Sequence, residues 1–168
     1  DSLWDCVVYT YAPREFIPVK GSNYFWGATD TLKYVKGLCD IIENPGKYVI
    51  DHLHMVAPAL LRLSYQYIFV LLDDCRITST ENFDLLSMIA IMEENKLSMA
   101  SPRVVNANKG GGQKFRDIMQ APPPAHSPGY VSSFIEVFAV IMTHDGYQAL
   151  WELLCPEINP YGWGYDMW

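Results

Sequence analysis

The apolar runs of this chain are short, and their length limits what it can fold into. The two longest are YIFVLL at 67–72 and VFAVIM at 137–142, six residues each. A helix that crosses a membrane needs about 18 or more consecutive apolar residues. We therefore expect no membrane segment. Hydrophobic residues make up 50% of the sequence, which is enough to build the core of one domain.

Short apolar or β-branched runs alternate with segments whose apolar residues recur at helical spacing. Strands are expected at 6–11, 67–72, 97–102 and 130–142. Helices are expected at 31–42, 47–63, 83–95 and 144–154, with Pro58 kinking the second or starting a new short helix. Strands that are apolar on both faces and alternate with helices are typical of a largely parallel sheet covered by helices. The predicted fold class is therefore α/β, Rossmann-like, with a mostly parallel sheet flanked by helices.

Two adjacent acids, Asp73 and Asp74, directly follow the apolar run 67–72. In parallel sheets, ligands bind at the carboxyl ends of the strands. A pair of carboxylates at such an end suits Mg²⁺ or Mn²⁺, which fills the rest of its coordination shell with water and substrate phosphates. The alternative is a solvated turn in which the aspartates cap nearby backbone groups.

The C-terminal stretch YGWGYDMW combines glycines, aromatic rings and one acid. The glycine on each side of Trp163, the second being Gly164, allows a close backbone turn. Trp163 and Tyr165 offer faces on which a sugar ring can stack, and Asp166 supplies a carboxylate beside them. The alternative is an aromatic-rich turn that packs on the edge of the core, with Asp166 as a helix N-cap.

Glu136 interrupts the apolar stretch 130–142. A carboxylate in a central strand is costly unless it is paired or belongs to a site, which makes Glu136 a second candidate for chemistry. If the strand alternates between two faces, the same residue simply points to solvent.

The segment from Asn106 to Gly129 is rich in glycine, proline and polar residues. It is longer than an ordinary connection, so we expect a mobile loop that closes over a ligand. Its KGGGQK stretch lacks the spacing of a phosphate-binding loop.

Charge and cysteine content restrict the partners and leave the compartment open. A net charge of −7 and a pI near 4.9 argue against nucleic acid, whose backbone is bound by clustered Lys and Arg. The four cysteines, Cys6, Cys39, Cys75 and Cys155, are widely separated, which disfavours a zinc cluster. Disulfides formed in a secretory lumen and four buried thiols both remain compatible with this pattern.

Four stretches together resemble a known family. YIFVLLDDCRI, ENFDLLSMIAIMEENKLSMASP, FIEVFAVIMTHDGYQALWELL and YGWGYD occur in the order and spacing of a plant-type glycosyltransferase-like family of unknown function, which is related to GT-A enzymes. The resemblance covers the chain from Gly46 to its end. It implies a GT-A-like fold. The length predicts a single domain over 1–168, and a first residue that is Asp1 rather than Met, with an abrupt C-terminal end, predicts a fragment that lacks both ends.

The same resemblance implies a function. Asp73 and Asp74 would bind Mn²⁺ or Mg²⁺ and, through it, the diphosphate of a nucleotide sugar. Asp166 would contact the acceptor or act as base, with Glu136 as the second catalytic candidate, while Trp163, Gly164 and Tyr165 would bind substrate. The expected activity is metal-dependent transfer of a sugar from this donor to a carbohydrate or other hydroxyl acceptor.

Two alternative functions would use the same candidate residues. One is a catalytically inactive carbohydrate-binding or scaffolding module, and the other is a metal-dependent hydrolase. An N-terminal anchor in the full chain would favour the Golgi or another secretory lumen; without an anchor the expectation is the cytoplasm.

Overall fold

The described part of the chain forms two small sheets and several short helices. The computed structural model of the protein describes residues 4–10, 37–43, 48–72, 83–103, 125–132, 135 and 139–160. Within these residues the elements are, in chain order, β1 (Val7–Thr10), β2 (Asp40–Glu43), α1 (Val49–Met55), α2 (Pro58–Leu61), β3 (Tyr67–Leu71), α3 (Leu85–Asn95), β4 (Met99–Ala100), β5 (Ala139–Thr143) and α4 (His144–Leu153).

The sheet topology corrects the predicted fold class. β1 and β2 form a parallel pair in which Val7 lies opposite Asp40. The other sheet has the order β3-β5-β4, and β5 runs antiparallel to both of its neighbours. The expected GT-A-like, Rossmann-like, mostly parallel sheet is therefore wrong for the residues that the structure describes.

The physical reason lies in β5. Ala139, Val140, Ile141 and Met142 are each at most 4% exposed. A strand at the centre of a covered sheet is apolar on both faces whichever way its neighbours run, so an apolar run reports burial and not strand direction. Continuous apolar strands are common in parallel sheets, and the prediction relied on that correlation. This antiparallel sheet does not follow it.

Several elements predicted from local sequence are confirmed. β1, β3 and β4 fall inside the expected strands, and α2 begins at Pro58 as a new short helix. The strand predicted at 130–142 is confirmed only in its last part, because residues 130–132 and 135 are not in a strand and β5 spans Ala139–Thr143. The start of α3 is two residues later than expected. Its N-cap is Asp84, whose carboxylate accepts a hydrogen bond from the backbone N–H of Leu86 at 3.1 Å.

The predicted helix at 31–42 is wrong at its C-terminal end. Asp40, Ile41 and Ile42 lie in β2 and pair with β1. The apolar residues there have helical spacing, but pairing with a distant strand overrides this local preference.

The core lies where α1 and α4 pack on β5. Its buried members are Ile50, Val140, Met142, Tyr147, Leu150 and Leu154. Gly146, in the first turn of α4, lies directly against the backbone of Ser98, because an added Cβ would come within 2.3 Å of the Ser98 carbonyl oxygen. This contact sets how closely α4 approaches the residues just before β4.

Candidate functional site

The residues predicted to carry chemistry lie outside the described part of the chain. They are Asp73, Asp74, Glu136, Trp163, Gly164, Tyr165 and Asp166. The loop predicted at 106–129 is described only from residue 125, where His126 has a left-handed backbone (φ 68°) and the Ser127 hydroxyl donates to the Gly129 carbonyl at 2.5 Å. The site therefore has to be located from the described elements that lead to these residues.

One edge of the three-stranded sheet is where those elements end or begin. Leu71, the last residue of β3, pairs with Ala139, the first residue of β5. The chain continues from Leu71 to Asp73 within two residues, and it reaches Ala139 from Glu136 within three. We call this edge, defined by Leu71 and Ala139, the acidic exit edge.

β4 ends at the same edge. Because β3 and β4 are both antiparallel to β5, they run in the same direction. The register places Ala100 opposite Ile141, so the chain leaves β4 through Ser101 and Pro102 toward the glycine-rich segment on this side of the sheet. Two connections that carry candidate acids, and the one that leads to the predicted loop, thus meet the sheet at one edge.

The opposite edge carries a cluster of polar groups that sequence analysis did not identify. Tyr67 at the start of β3 pairs with Thr143 at the end of β5. Beside them lies an open depression of about 380 Å³, whose lining includes Arg62, Glu93 and His144. The groups around it interact across the chain at sequence separations of up to 79 residues, which no local pattern could have indicated.

The polar groups of this depression bind one another. The Tyr67 hydroxyl donates to the Glu93 carboxylate at 3.0 Å. Burial first, and then the hydrogen bond and negative charge of Glu93, raise the pKa of Tyr67. Arg62 and Asp145 form an ion pair at 3.8 Å, but both side chains are largely exposed and such pairs contribute little. The hydrogen bond joins β3 to α3, and the weak ion pair joins the end of α2 to α4.

His144 links the first turn of α4 to Tyr65, two residues before β3. Its Nε2 donates to the Tyr65 carbonyl, because a carbonyl oxygen can only accept. In the neutral imidazole, Nδ1 is then the acceptor. Among the described residues, Nδ1 has no hydrogen-bond partner.

A second depression, of about 480 Å³, lies at the start of the parallel pair. Trp4, Asp5, Asp40 and Tyr65 line it beside the Cys6–Cys39 disulfide. The Tyr65 hydroxyl donates to the Asp5 carboxylate, and this hydrogen bond is the main cause that raises the pKa of Tyr65. Tyr65 therefore connects the parallel pair, through its side chain, to α4, through its carbonyl.

The two histidines of α1 pack against aromatic side chains. His52 is buried and its ring lies 4.9 Å from the ring of Tyr9. His54 stacks on Trp151 at the same centroid distance, and the Trp151 indole donates to the His54 carbonyl at 2.9 Å. The two imidazoles contact different elements, as their spacing of two residues on a helix implies.

The described residues contain neither a cluster of metal-ligating side chains nor a membrane-spanning helix. No cluster of three or more His, Cys, Asp or Glu side chains there could hold a metal ion. Similarly, none of the described helices has the length and apolar character needed to cross a membrane. Asp73 and Asp74 are not among the described residues.

Comparison with known proteins does not assign a class. The chain matches no protein-family model, no curated protein and no solved structure.

Proposed function

We propose that this protein is a metal-dependent glycosyltransferase that moves a sugar from a nucleotide-diphosphate donor to a hydroxyl acceptor. The observation that supports this proposal most directly is the pairing of Leu71 with Ala139. It brings the strand that leads to Asp73 and Asp74 and the strand that follows Glu136 to the acidic exit edge. Acids that are distant in sequence thus belong to connections that share one end of a sheet.

The carboxylates of Asp73 and Asp74 are ligands of the type that binds a hard divalent metal ion. Two carboxylates supply oxygen ligands of the kind that Mg²⁺ and Mn²⁺ prefer, and such ions leave room in their shell for phosphate oxygens. Asp73 and Asp74 would hold the ion. When bound, the ion neutralises the negative charge that develops on the departing diphosphate.

The remaining candidate residues take the acceptor side of the reaction. Asp166 would remove the proton of the attacking hydroxyl, with Glu136 as the second candidate for this role. Trp163 and Tyr165 would stack on the acceptor or donor sugar, and Gly164 would let the backbone approach it. These roles are supported by residue type and by the resemblance of YGWGYD to the acidic motif of related transferases.

The proposal depends on residues and not on the fold class. The same chemistry occurs on unrelated folds, so the correction of the predicted sheet does not remove it. Membership of the plant-type glycosyltransferase-like family is part of this proposal and rests on the four motifs quoted above.

Calorimetric titration of uridine and guanosine diphosphates, with and without Mn²⁺, tests the donor site. We expect metal-dependent binding to the unchanged protein and its loss in Asp74→Asn. Asp145→Asn is the matched control, because Asp145 is an exposed acid at the opposite edge of the sheet. Absent binding, equal binding without metal, or equal loss in both variants would overturn the donor-site assignment.

Release of nucleoside diphosphate from nucleotide sugars, with and without a sugar acceptor, then separates the possible activities. Acceptor-stimulated release is the expected result. Release that is independent of acceptor would indicate a hydrolase. Metal-dependent binding with no release in the presence of a panel of acceptors would favour a carbohydrate-binding module.

A further inference from the structure

The disulfide between Cys6 and Cys39 occupies the start of the parallel strand pair. Cys6 directly precedes β1 and Cys39 directly precedes β2. The two positions face each other one step before the registered pair of Val7 and Asp40, and the Asp40 N–H donates to the Cys6 carbonyl at 2.8 Å. Backbone pairing and the covalent bond therefore require the same register.

The two strands that this bond joins are short and partly exposed. Each strand has four residues, and an isolated two-stranded sheet is marginally stable at best in water. Val7 is 47% exposed and Ile42 is 41% exposed, so the pair buries only part of its apolar surface. A cross-link that limits the freedom of the unfolded chain is the kind of stabilisation such a pair needs.

The bond also spans a long segment of chain. Cys6 and Cys39 are separated by 33 positions. In the chain-entropy account, the stabilisation by a disulfide grows with the length of the loop it closes. β1 is in turn joined to the rest of the structure, through the Tyr9 ring on His52 and through Asp5, which accepts from Tyr65. The disulfide thus holds β2 on a strand that is itself anchored.

We propose that the Cys6–Cys39 bond is required for stable pairing of β1 and β2, and that the chain reaches its native structure in an oxidising compartment. Bond formation removes one proton and one electron from each thiol. The acceptor of both electrons is a disulfide of an oxidised dithiol oxidoreductase or of glutathione, and it is reduced to two thiols. Stable disulfides of this kind form in secretory and periplasmic compartments and are rare in the cytosol.

Cys155 provides an internal control. It lies just after α4, where its thiol donates to the Glu157 carboxylate with Sγ 3.6 Å from Oε2. Cys155→Ser changes a cysteine away from the strand pair. It should therefore leave both the cross-link and the stability of the pair unchanged.

The first experiment maps the bond in the 168-residue chain exported to a bacterial periplasm. Thiols are blocked with iodoacetamide before denaturation, and the protein is digested with trypsin without reduction. Cleavage after Arg14, Lys36 and Lys47 should give peptide 1–14 linked to peptide 37–47. Alkylated Cys6 and Cys39 in the folded protein, or a bond from Cys6 to another cysteine, would overturn the proposal.

The second experiment measures thermal unfolding. We expect the melting temperature of the double variant Cys6→Ser/Cys39→Ser to be about 10 °C below that of the unchanged protein. The melting temperature of Cys155→Ser should equal that of the unchanged protein. If the double variant does not fold, the unchanged protein is melted after full reduction, with alkylation proving that reduction is complete. Equal melting of oxidised and reduced protein would overturn the requirement for the bond.

The third experiment tests the compartment. The same chain is produced with export to the periplasm and in a reducing cytosol, and folded protein is measured by protease resistance. A severalfold higher folded yield after export is expected, and equal yields would contradict the proposal. None of these measurements uses sugar transfer, so their outcome is independent of the proposed function.

Discussion

The hydroxyl of Tyr147 lies 2.9 Å from the carbonyl oxygen of Leu53, and this hydrogen bond joins the first turn of α4 to the C-terminal half of α1. The Val56 carbonyl, which follows α1, lies 3.0 Å from the same hydroxyl. Tyr147 is 1% exposed. A single phenolic group therefore holds the end of one helix to another inside the core.

Replacing Tyr147 with Phe should lower the free energy of unfolding by about 1–2 kcal/mol, because a buried donor is lost and two carbonyl groups remain. Leu53 retains one hydrogen bond, from the Val56 N–H at 3.3 Å, which limits the loss. Urea denaturation measures the change. Tyr67→Phe, which removes a hydroxyl paired with Glu93 near the surface, is the control and should cost less. An equal loss in the free energy of unfolding for the two variants would mean that burial of the Tyr147 hydroxyl does not determine the size of the effect.

Stability should fall at alkaline pH through the same side chain. Burial raises the pKa of Tyr147 from 10.0 to about 12, with a smaller contribution from the charge of Tyr9. The raised value stabilises the folded state fully below the unfolded pKa, and this contribution is lost as pH rises through the folded pKa. The free energy of unfolding should therefore decline between about pH 10 and pH 12.

Comparison of Tyr147→Phe with the unchanged protein isolates this effect. The variant should show a shallower decline over that pH range. Some decline should remain, because the pKa values of Tyr9, Tyr65 and Tyr67 are also raised. Identical slopes for the two proteins would show that Tyr147 does not titrate as the structure implies.

Gly146→Ala should destabilise the protein although alanine favours helices. The new Cβ would lie 2.3 Å from the Ser98 carbonyl oxygen and 3.1 Å from Cγ of Met99. Ser98 cannot yield easily, because its carbonyl accepts the Thr143 N–H at 3.0 Å. We expect a loss of about 1–3 kcal/mol in urea denaturation.

Gly129→Ala is the matched control for this substitution. No atom of the described residues lies within 4 Å of the position its Cβ would take. Its effect should stay within about 0.5 kcal/mol. A stabilised Gly146→Ala protein would mean that helix propensity outweighs the contact with Ser98, and that α4 can move away from β4.

Asp166→Asn should reduce sugar transfer by on the order of a hundredfold or more while leaving donor binding intact, since the amide keeps the shape but cannot take a proton. Glu136→Gln is tested beside it, and Asp145→Asn serves as the control at the opposite sheet edge. Initial rates and calorimetric donor affinity are measured together. If only Glu136→Gln loses activity, the two roles are exchanged; if both variants remain active, neither acid is catalytic.

Local sequence was sufficient for the elements whose signals are contained within a few residues. Pro58 begins α2 because its fixed φ suits the first helical position. The apolar run at 67–72 forms β3, and α3 ends at Asn95 as its periodicity predicts. The candidate acids were selected by residue type and by resemblance, and they remain predictions.

Contacts between residues that are distant in sequence could not be predicted from these local patterns. Helical spacing at 31–42 predicted a helix where Asp40–Glu43 pairs with β1. The cysteine pattern left disulfides and buried thiols equally open, and the bond between Cys6 and Cys39 depends on that pairing. Likewise, the bonds of Tyr65 to Asp5 and to His144 join residues 60 and 79 positions apart.

Within the part of the chain that the structure describes, the sequence by itself therefore determined where most strands and helices form, because backbone preference and side-chain periodicity act over a few neighbouring residues. Only the tertiary structure decided the direction of pairing. β5 lies between β3 and β4 and runs against both, which brings Leu71 to Ala139 and defines the acidic exit edge. An apolar strand can be buried equally well in either direction, so direction is decided by which strands the whole chain can bring together.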